Sequence, residues 1–117
     1  MLNISSKEKV YLACGNTDLR KSIDGLAVLV QQVFYLDPFS SCLFVFCSRT
    51  RDRIKILQWE HNGFWLYYRR LENGKFKWPS GNSDSMVITY RELRWLLDGL
   101  PILQKQAHNE VKARTII

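Results

Sequence analysis

Residues 53–79 read RIKILQWEHNGFWLYYRRLENGKFKWP, and two Asn-Gly pairs, Asn62-Gly63 and Asn73-Gly74, divide them into three short runs rich in β-branched and aromatic residues. Asn-Gly between such runs is the strongest local hairpin signal, because both central residues of a type I′ turn need positive φ. Two consecutive hairpins predict an antiparallel meander. With two-residue turns, Trp59 faces Leu66, Leu57 faces Tyr68, Lys55 faces Arg70 and Ile54 faces Leu71. The second turn sets Leu71 opposite Phe76, Arg70 opposite Lys77 and Arg69 opposite Trp78.

Alternation along each strand sorts these side chains to two faces. One face collects Ile54, Ile56, Trp65, Tyr67, Leu71, Phe76 and Trp78, a core face with Arg69 lying over Trp78. The other collects Lys55, Arg70 and Lys77 in one row, then Leu57 with Tyr68, then Trp59 with Leu66. Like charges directly opposite one another cost roughly 0.2 to 1 kcal/mol per pair, a cost that a bound polyanion removes. The candidate nucleic-acid contacts are therefore the row Lys55, Arg70 and Lys77, the neighbouring Lys75, and the loop cations Arg49, Arg51 and Arg53, with Tyr68 or Trp59 available for stacking. The plainer reading is a solvated face of long side chains.

Outward from the meander, CLFVFC (42–47) is a continuous apolar run too short for a confident helix and reads as a central strand, followed by the basic loop SRTRD. KVYLAC (9–14) is a short β-rich segment, and GNTD after it supplies turn and helix-capping residues. From Leu19 to about Tyr35, apolar residues Ile23, Leu26, Ala27, Val30, Val33 and Phe34 follow helical spacing, and Pro38 ends that helix. PSGNSDS (79–85) is a loop by composition. Thr89 and Glu92 form a capping box that opens a helix over YRELRWLLDG, closed by Gly99 and Pro101. Residues 100–117 read as a C-terminal extension, either helix or tail. The expectation is a single α+β domain over 1–117: an antiparallel β-meander of about four to five strands packed against two or three helices.

The 117 residues carry a formal charge of +6. Residues 49–78 hold eight Lys and Arg against Asp52, Glu60 and Glu72, which leaves five of those six charges in one quarter of the chain. A local excess of this kind attracts polyanions. No apolar segment approaches the roughly 18 residues of a membrane span, nor is there a signal-peptide pattern, so the chain is expected to be cytoplasmic and to have no membrane partner. Cys14, Cys42 and Cys47 lie in or beside apolar runs and read as small buried thiols. Their spacing, and that of His61 and His108, suits no zinc site, so no metal or other cofactor is expected.

The phosphate-binding loop, the dinucleotide-binding turn, the nucleophile elbow and the H-E-x-x-H helix are all absent from the sequence. A metal-dependent nuclease needs two or three convergent carboxylates. Asp18, Asp37 and Asp52 are the set that folding would have to bring together, a less favoured reading than a non-catalytic protein.

VYLACGNTDLRKSIDGLAVLV, DPFSSCLFVFCSRTRDRIKILQWEHNGFWLYYRRLENGKFKWP and LRWLLDG together resemble the small accessory proteins, called TnpB or Orf-two, of the insertion-sequence family numbered sixty-six. The likeness runs from about residue 9 to residue 99. Asp18, Arg20, Lys21, Asp24, Gly25 and Leu26 match D-x-R-K-x-x-D-G-L, and Asp37, Pro38 and Phe39 match D-P-F. Phe44 to Phe46 match F-V-F, and Arg53, Lys55 and Leu57 match R-x-K-x-L. Gly63 to Tyr68, including Trp65, match G-F-W-L-Y-Y, and Phe76, Trp78 and Pro79 match F-x-W-P. Cys47 stands where the family often has an arginine after F-V-F.

The resemblance implies a role in moving a bacterial mobile element beside a separate, larger transposase, with no catalytic residues to carry over. DNA is the expected partner of the basic residues. The alternative is an adaptor that docks on the transposase, with Trp59, Leu66 and Tyr68 as the protein contact.

Overall fold

The computed structural model describes residues 9–79 and 83–102. Strand β1 (Val10–Ala13) leads through a polar loop into helix α1 (Ile23–Gln32), which returns the chain to β2 (Leu43–Cys47). β1 and β2 are parallel, with Val10 opposite Leu43, so the helix serves as the crossover that a parallel pair requires. β3 (Arg53–Glu60) and β4 (Gly63–Arg70) follow as antiparallel neighbours, then β5 (Ser85–Ile88) and α2 (Tyr90–Leu97). The five strands form one mixed sheet in the order β4-β3-β2-β1-β5.

The sheet is covered on both faces at its centre. Leu26 and Val30 of α1 pack with Ala13, Phe44, Phe46 and Leu57 on one side. Leu93 and Leu96 of α2 pack with Val10, Leu12, Leu43, Val45, Ile54 and Ile56 on the other. Every residue of β2 is buried, which is why its sequence is uninterrupted apolar rather than alternating. Cys14 and Cys47 are buried and all three cysteines are free thiols.

At α2 the capping box forms as expected: Thr89 Oγ1 accepts from the Glu92 amide at 3.1 Å, and Glu92 Oε1 accepts from the Thr89 amide at 2.8 Å. Gly99 takes φ of +85°, and its amide donates to Leu96 O while Leu100 donates to Trp95 O, the paired bonds of a Schellman stop.

The α+β class holds, with five strands and two helices among the described residues, but the meander is displaced by one strand. It consists of β2, β3 and β4, not of β3, β4 and the run KFKWP. Residues 71–79 are irregular. Leu71 donates its amide to Asp52 O at 2.8 Å and Phe76 donates to Arg51 O at 2.7 Å, so the segment wraps the 48–53 loop instead of pairing with β4. The first hairpin turn is also shifted. His61 and Asn62, both at positive φ (49° and 68°), occupy its centre, and Glu60 faces Gly63.

That shift moves the β3–β4 register by two residues. Lys55 faces Tyr68, Leu57 faces Leu66, and Arg70 faces Arg53. A two-residue slip keeps every side chain on its expected face but changes every partner. The row Lys55, Arg70, Lys77 therefore does not exist. β5 begins at Ser85, the last residue of the loop expected over 79–85, and runs on to Ile88, just before the α2 cap. The C-terminal extension from residue 103 lies outside the described residues.

Candidate nucleic-acid interface

β1 and β2, being parallel, deliver their carboxyl ends to the same edge of the molecule, where ligands commonly sit in open sheets with a crossover helix. The loop after β1 and the loop after β2 meet there, joined by the Thr17 amide donating to Cys47 O at 2.9 Å. The second loop is closed by Ser48. Its amide donates to Arg53 O at 3.0 Å, and its hydroxyl accepts from the Arg53 amide at 3.2 Å. The Thr50 hydroxyl donates to Asp52 and, as the largest influence, holds that carboxyl below the usual range.

Arg51 adopts φ of 64°, which sends its side chain away from those of Arg49 and Arg53. Its guanidinium carbon lies 5.9 Å from the Trp78 ring centroid, the position that sequence alone gives to Arg69. Trp78 is itself fixed by its indole N–H donating to Ala13 O at 3.0 Å. Arg51 Nη1 is buried with no hydrogen-bond acceptor among the described residues. Burial pushes the Cys47 thiol pKa up, with Arg51 opposing the shift.

Between these loops and the α1 side of β3 and β4 lies an open cleft of 820 Å³. Arg20, Arg49, Arg53 and Lys55 line it, with Tyr68, Asn16, Thr17 and Thr50, against one carboxylate among the described residues, that of Asp18. Arg20 grips Asp18 through Nε at 3.0 Å and Nη2 at 2.8 Å. That side-chain hydrogen bonding is the main reason the Asp18 pKa is held down to about 2. Lys55 donates from Nζ to Lys21 O at 3.1 Å and sits 5.8 Å from the Tyr68 ring centroid. Tyr68 remains 54% exposed, so its ring is open to a further stacking partner.

Five of the eight residues nominated for nucleic-acid contact therefore converge on this cleft or its rim: Arg49, Arg53, Lys55 and Tyr68 line it, and Arg70 faces Arg53 across the strand pair. The Arg53 and Arg70 cations are relieved by local carboxylates, Asp52 at 4.0 Å and Glu72 at 2.8 Å. Arg51 turns to the neighbouring cavity beside Lys21, Trp78 and Pro79. Lys75 and Lys77 are exposed in the irregular segment and line neither cavity.

Among the family-motif residues, Asp18 and Arg20 line the cleft, and the Lys21 carbonyl anchors Lys55 in its wall. Gly25 in the next turn keeps the helix clear of Lys21, whose Cβ would lie 3.1 Å from an added Cβ. Asp24 is exposed in the first turn of α1. Asp37 and buried Pro38 build the turn before β2, with Asp37 Oδ1 accepting from the Phe39 amide at 2.9 Å. Trp65, expected in the core, is 53% exposed on the edge strand, with its indole N–H donating to Glu60 Oε1 at 3.0 Å.

The aromatic candidates also separate. Trp59 stands at the opposite end of the sheet from the cleft, edge-on to Phe39 at 5.0 Å and Phe64 at 4.9 Å. Asn16, Thr17 and Thr50 were legible only as turn residues. Their place in the cleft depends on β1 and β2 being parallel, which no local pattern reports. Among the described residues no group of three His, Cys, Asp or Glu could hold a metal, so Asp18, Asp37 and Asp52 do not converge. No helix among the described residues is long and apolar enough to cross a membrane.

The model of the family described as IS66 Orf2 like protein matches residues 8–107. Over 100 residues the chain is 35% identical to the uncharacterized protein y4hO of Sinorhizobium fredii, covering 86% of this chain and 87% of that one. It is 29% identical over 100 residues to the uncharacterized protein y4jC of the same organism, covering 86% of each. No solved structure matches the chain.

Proposed function

The chain belongs to the IS66 Orf2-like family of insertion-sequence accessory proteins, and from that premise we propose that it supports transposition of its element as a non-catalytic, DNA-binding factor. The carrying observation is the pairing of Lys55 with Tyr68 inside a cleft that also holds Arg20, Arg49 and Arg53. Cations beside an open aromatic ring provide the two contacts that nucleic acid offers at every residue, a phosphate and a π-face. Arg49, Arg53 and Lys55 take phosphates, and Tyr68 takes a base or sugar edge. Arg20 is already committed to Asp18 and orders the wall.

The test is a salt-titrated anisotropy assay on labelled element-end and random DNA, comparing wild type with Arg49→Ala/Arg53→Ala/Lys55→Ala. Affinity is expected to fall with salt in wild type, and the log-log slope to shrink by about one for each phosphate contact removed. An unchanged slope in the triple variant refutes the cleft as the contact.

A second reading, an adaptor for the transposase, is favoured by one feature: the Phe39–Trp59–Phe64 cluster, in which Phe39 is 53% exposed at the end remote from the cleft. It predicts transposase binding that resists salt and is lost in Phe39→Ala/Trp59→Ala.

A further inference from the structure

β4 is an edge strand of eight residues, and among the described residues its outer side is unpaired. Native edges are usually blunted by lysine, proline, a bulge or shortness. β4 has none of these over Phe64 to Tyr68, five aromatic or aliphatic residues in succession, of which Trp65 and Tyr68 are more than half exposed.

We propose that two copies of this chain associate by antiparallel pairing of their β4 edges, with Leu66 facing Leu66. The register follows from the hairpin. A two-residue turn makes Glu60 and Gly63 a hydrogen-bonded pair, so the outward-pointing backbone groups of β4 belong to the alternate residues Phe64, Leu66, Tyr68 and Arg70. Centring the two-fold on Leu66 pairs Phe64 with Tyr68 of the other copy through those groups. On the opposite face it sets Trp65 against Tyr67, extending the stack that the two rings already make within one chain at 6.1 Å.

Charge selects the same arrangement. The Glu60 carboxylate is drawn over β4 by the Trp65 indole, on the face that also carries Arg69. Among the described residues Arg69 has no carboxylate within ion-pair distance. With Leu66 on the axis, Arg69 of one copy faces Gly63 of the other, and Gly63 has no side chain to separate it from Glu60. Two symmetric ion pairs result. A parallel pairing would instead oppose the two Arg69-Arg70 ends. The product is a continuous sheet of ten strands with both α1 helices, and both basic clefts, on one side.

Light scattering on the size-fractionated full chain, over a concentration series without nucleic acid, tests this. Wild type is expected at twice the monomer mass at high loading. Arg69→Glu is expected at the monomer mass, and Glu60→Arg/Arg69→Glu to regain the dimer. Gly63→Lys, at a position where an added Cβ meets nothing within 4 Å, is expected to be monomeric yet folded by circular dichroism. Amide exchange at Phe64, Leu66 and Tyr68 should slow in the dimer and quicken in Arg69→Glu. A wild type monomeric at every concentration, or a dimer untouched by Arg69→Glu and Gly63→Lys, overturns the proposal.

Discussion

Lys55 and Tyr68 stand directly opposite each other on β3 and β4, with the ammonium 5.8 Å from the ring centroid and hydrogen-bonded to the Lys21 carbonyl. One side chain is thereby held against both an aromatic ring and the end of the loop that leads into α1. The pair joins β3, β4 and the loop before α1, so substitutions at either member should affect binding before they affect folding.

Tyr68→Ala is expected to weaken DNA binding by about 1–3 kcal/mol, the usual worth of a base stacked on an aromatic ring. Tyr68→Phe keeps the ring and should bind within a few-fold of wild type. Anisotropy titration of both variants separates stacking from any role of the hydroxyl, and equal losses in the two would contradict the stacking role.

Lys75 and Lys77 are as cationic as Lys55 but lie outside the cleft. Lys75→Ala/Lys77→Ala should leave the salt slope within error of wild type, whereas Arg49→Ala/Arg53→Ala should reduce it by about two. The comparison holds the number of charges removed constant and varies only their position.

Asp18 has its pKa held down to about 2 by Arg20, chiefly through the side-chain hydrogen bonds. A carboxyl lowered in the folded state contributes stability above its unfolded value of about 4, and that contribution is lost as pH falls through the folded value. The carboxyl resonance of Asp18 should therefore titrate near the lower value and move up toward the ordinary range in Arg20→Ala. Because both side chains are solvent-exposed, the accompanying change in stability should be small and salt-sensitive.

The capping box on α2 offers a test of the fold alone. Thr89→Ala removes the acceptor of the Glu92 amide and is expected to cost about 1 kcal/mol in urea denaturation, with DNA affinity unchanged. A larger loss would place α2 deeper in the folding of the sheet than one helix cap implies.

The two faces of β3 and β4 were legible in the sequence, but their partners were not. Hydrophobic alternation distinguishes registers that differ by one residue and is blind to those that differ by two. Asn62 adopts the left-handed region wherever the turn is centred, so Asn62-Gly63 gave way to His61-Asn62 without any side chain changing face. The second hairpin failed for a tertiary reason: the Phe76 and Leu71 amides found acceptors in the loop after β2, and Phe76 found a place in the core. Gly74 still takes positive φ, so its local signal was read correctly while the structure it usually reports did not form.

β2 declared itself a buried central strand because it is apolar throughout, and α2 because its capping box is intact. The parallel pairing of β1 with β2, which creates the cleft, leaves no such mark. β5, at four residues, is too short for alternation to show. Sequence therefore picked out most of the cations and the tyrosine that line the cleft, and the fold decided which of them share a surface.

The proposed seat of nucleic acid is the cleft at the carboxyl ends of β1 and β2. Backbone chemical-shift mapping of the full-length, isotope-labelled chain titrated with an element-end duplex tests it most directly. The largest shifts are expected on Thr17, Arg49, Thr50, Lys55 and Tyr68, with Trp59 and Phe64 at the far end little changed. No saturable shifts, or shifts centred on Phe39, Trp59 and Phe64 with the cleft silent, would contradict it.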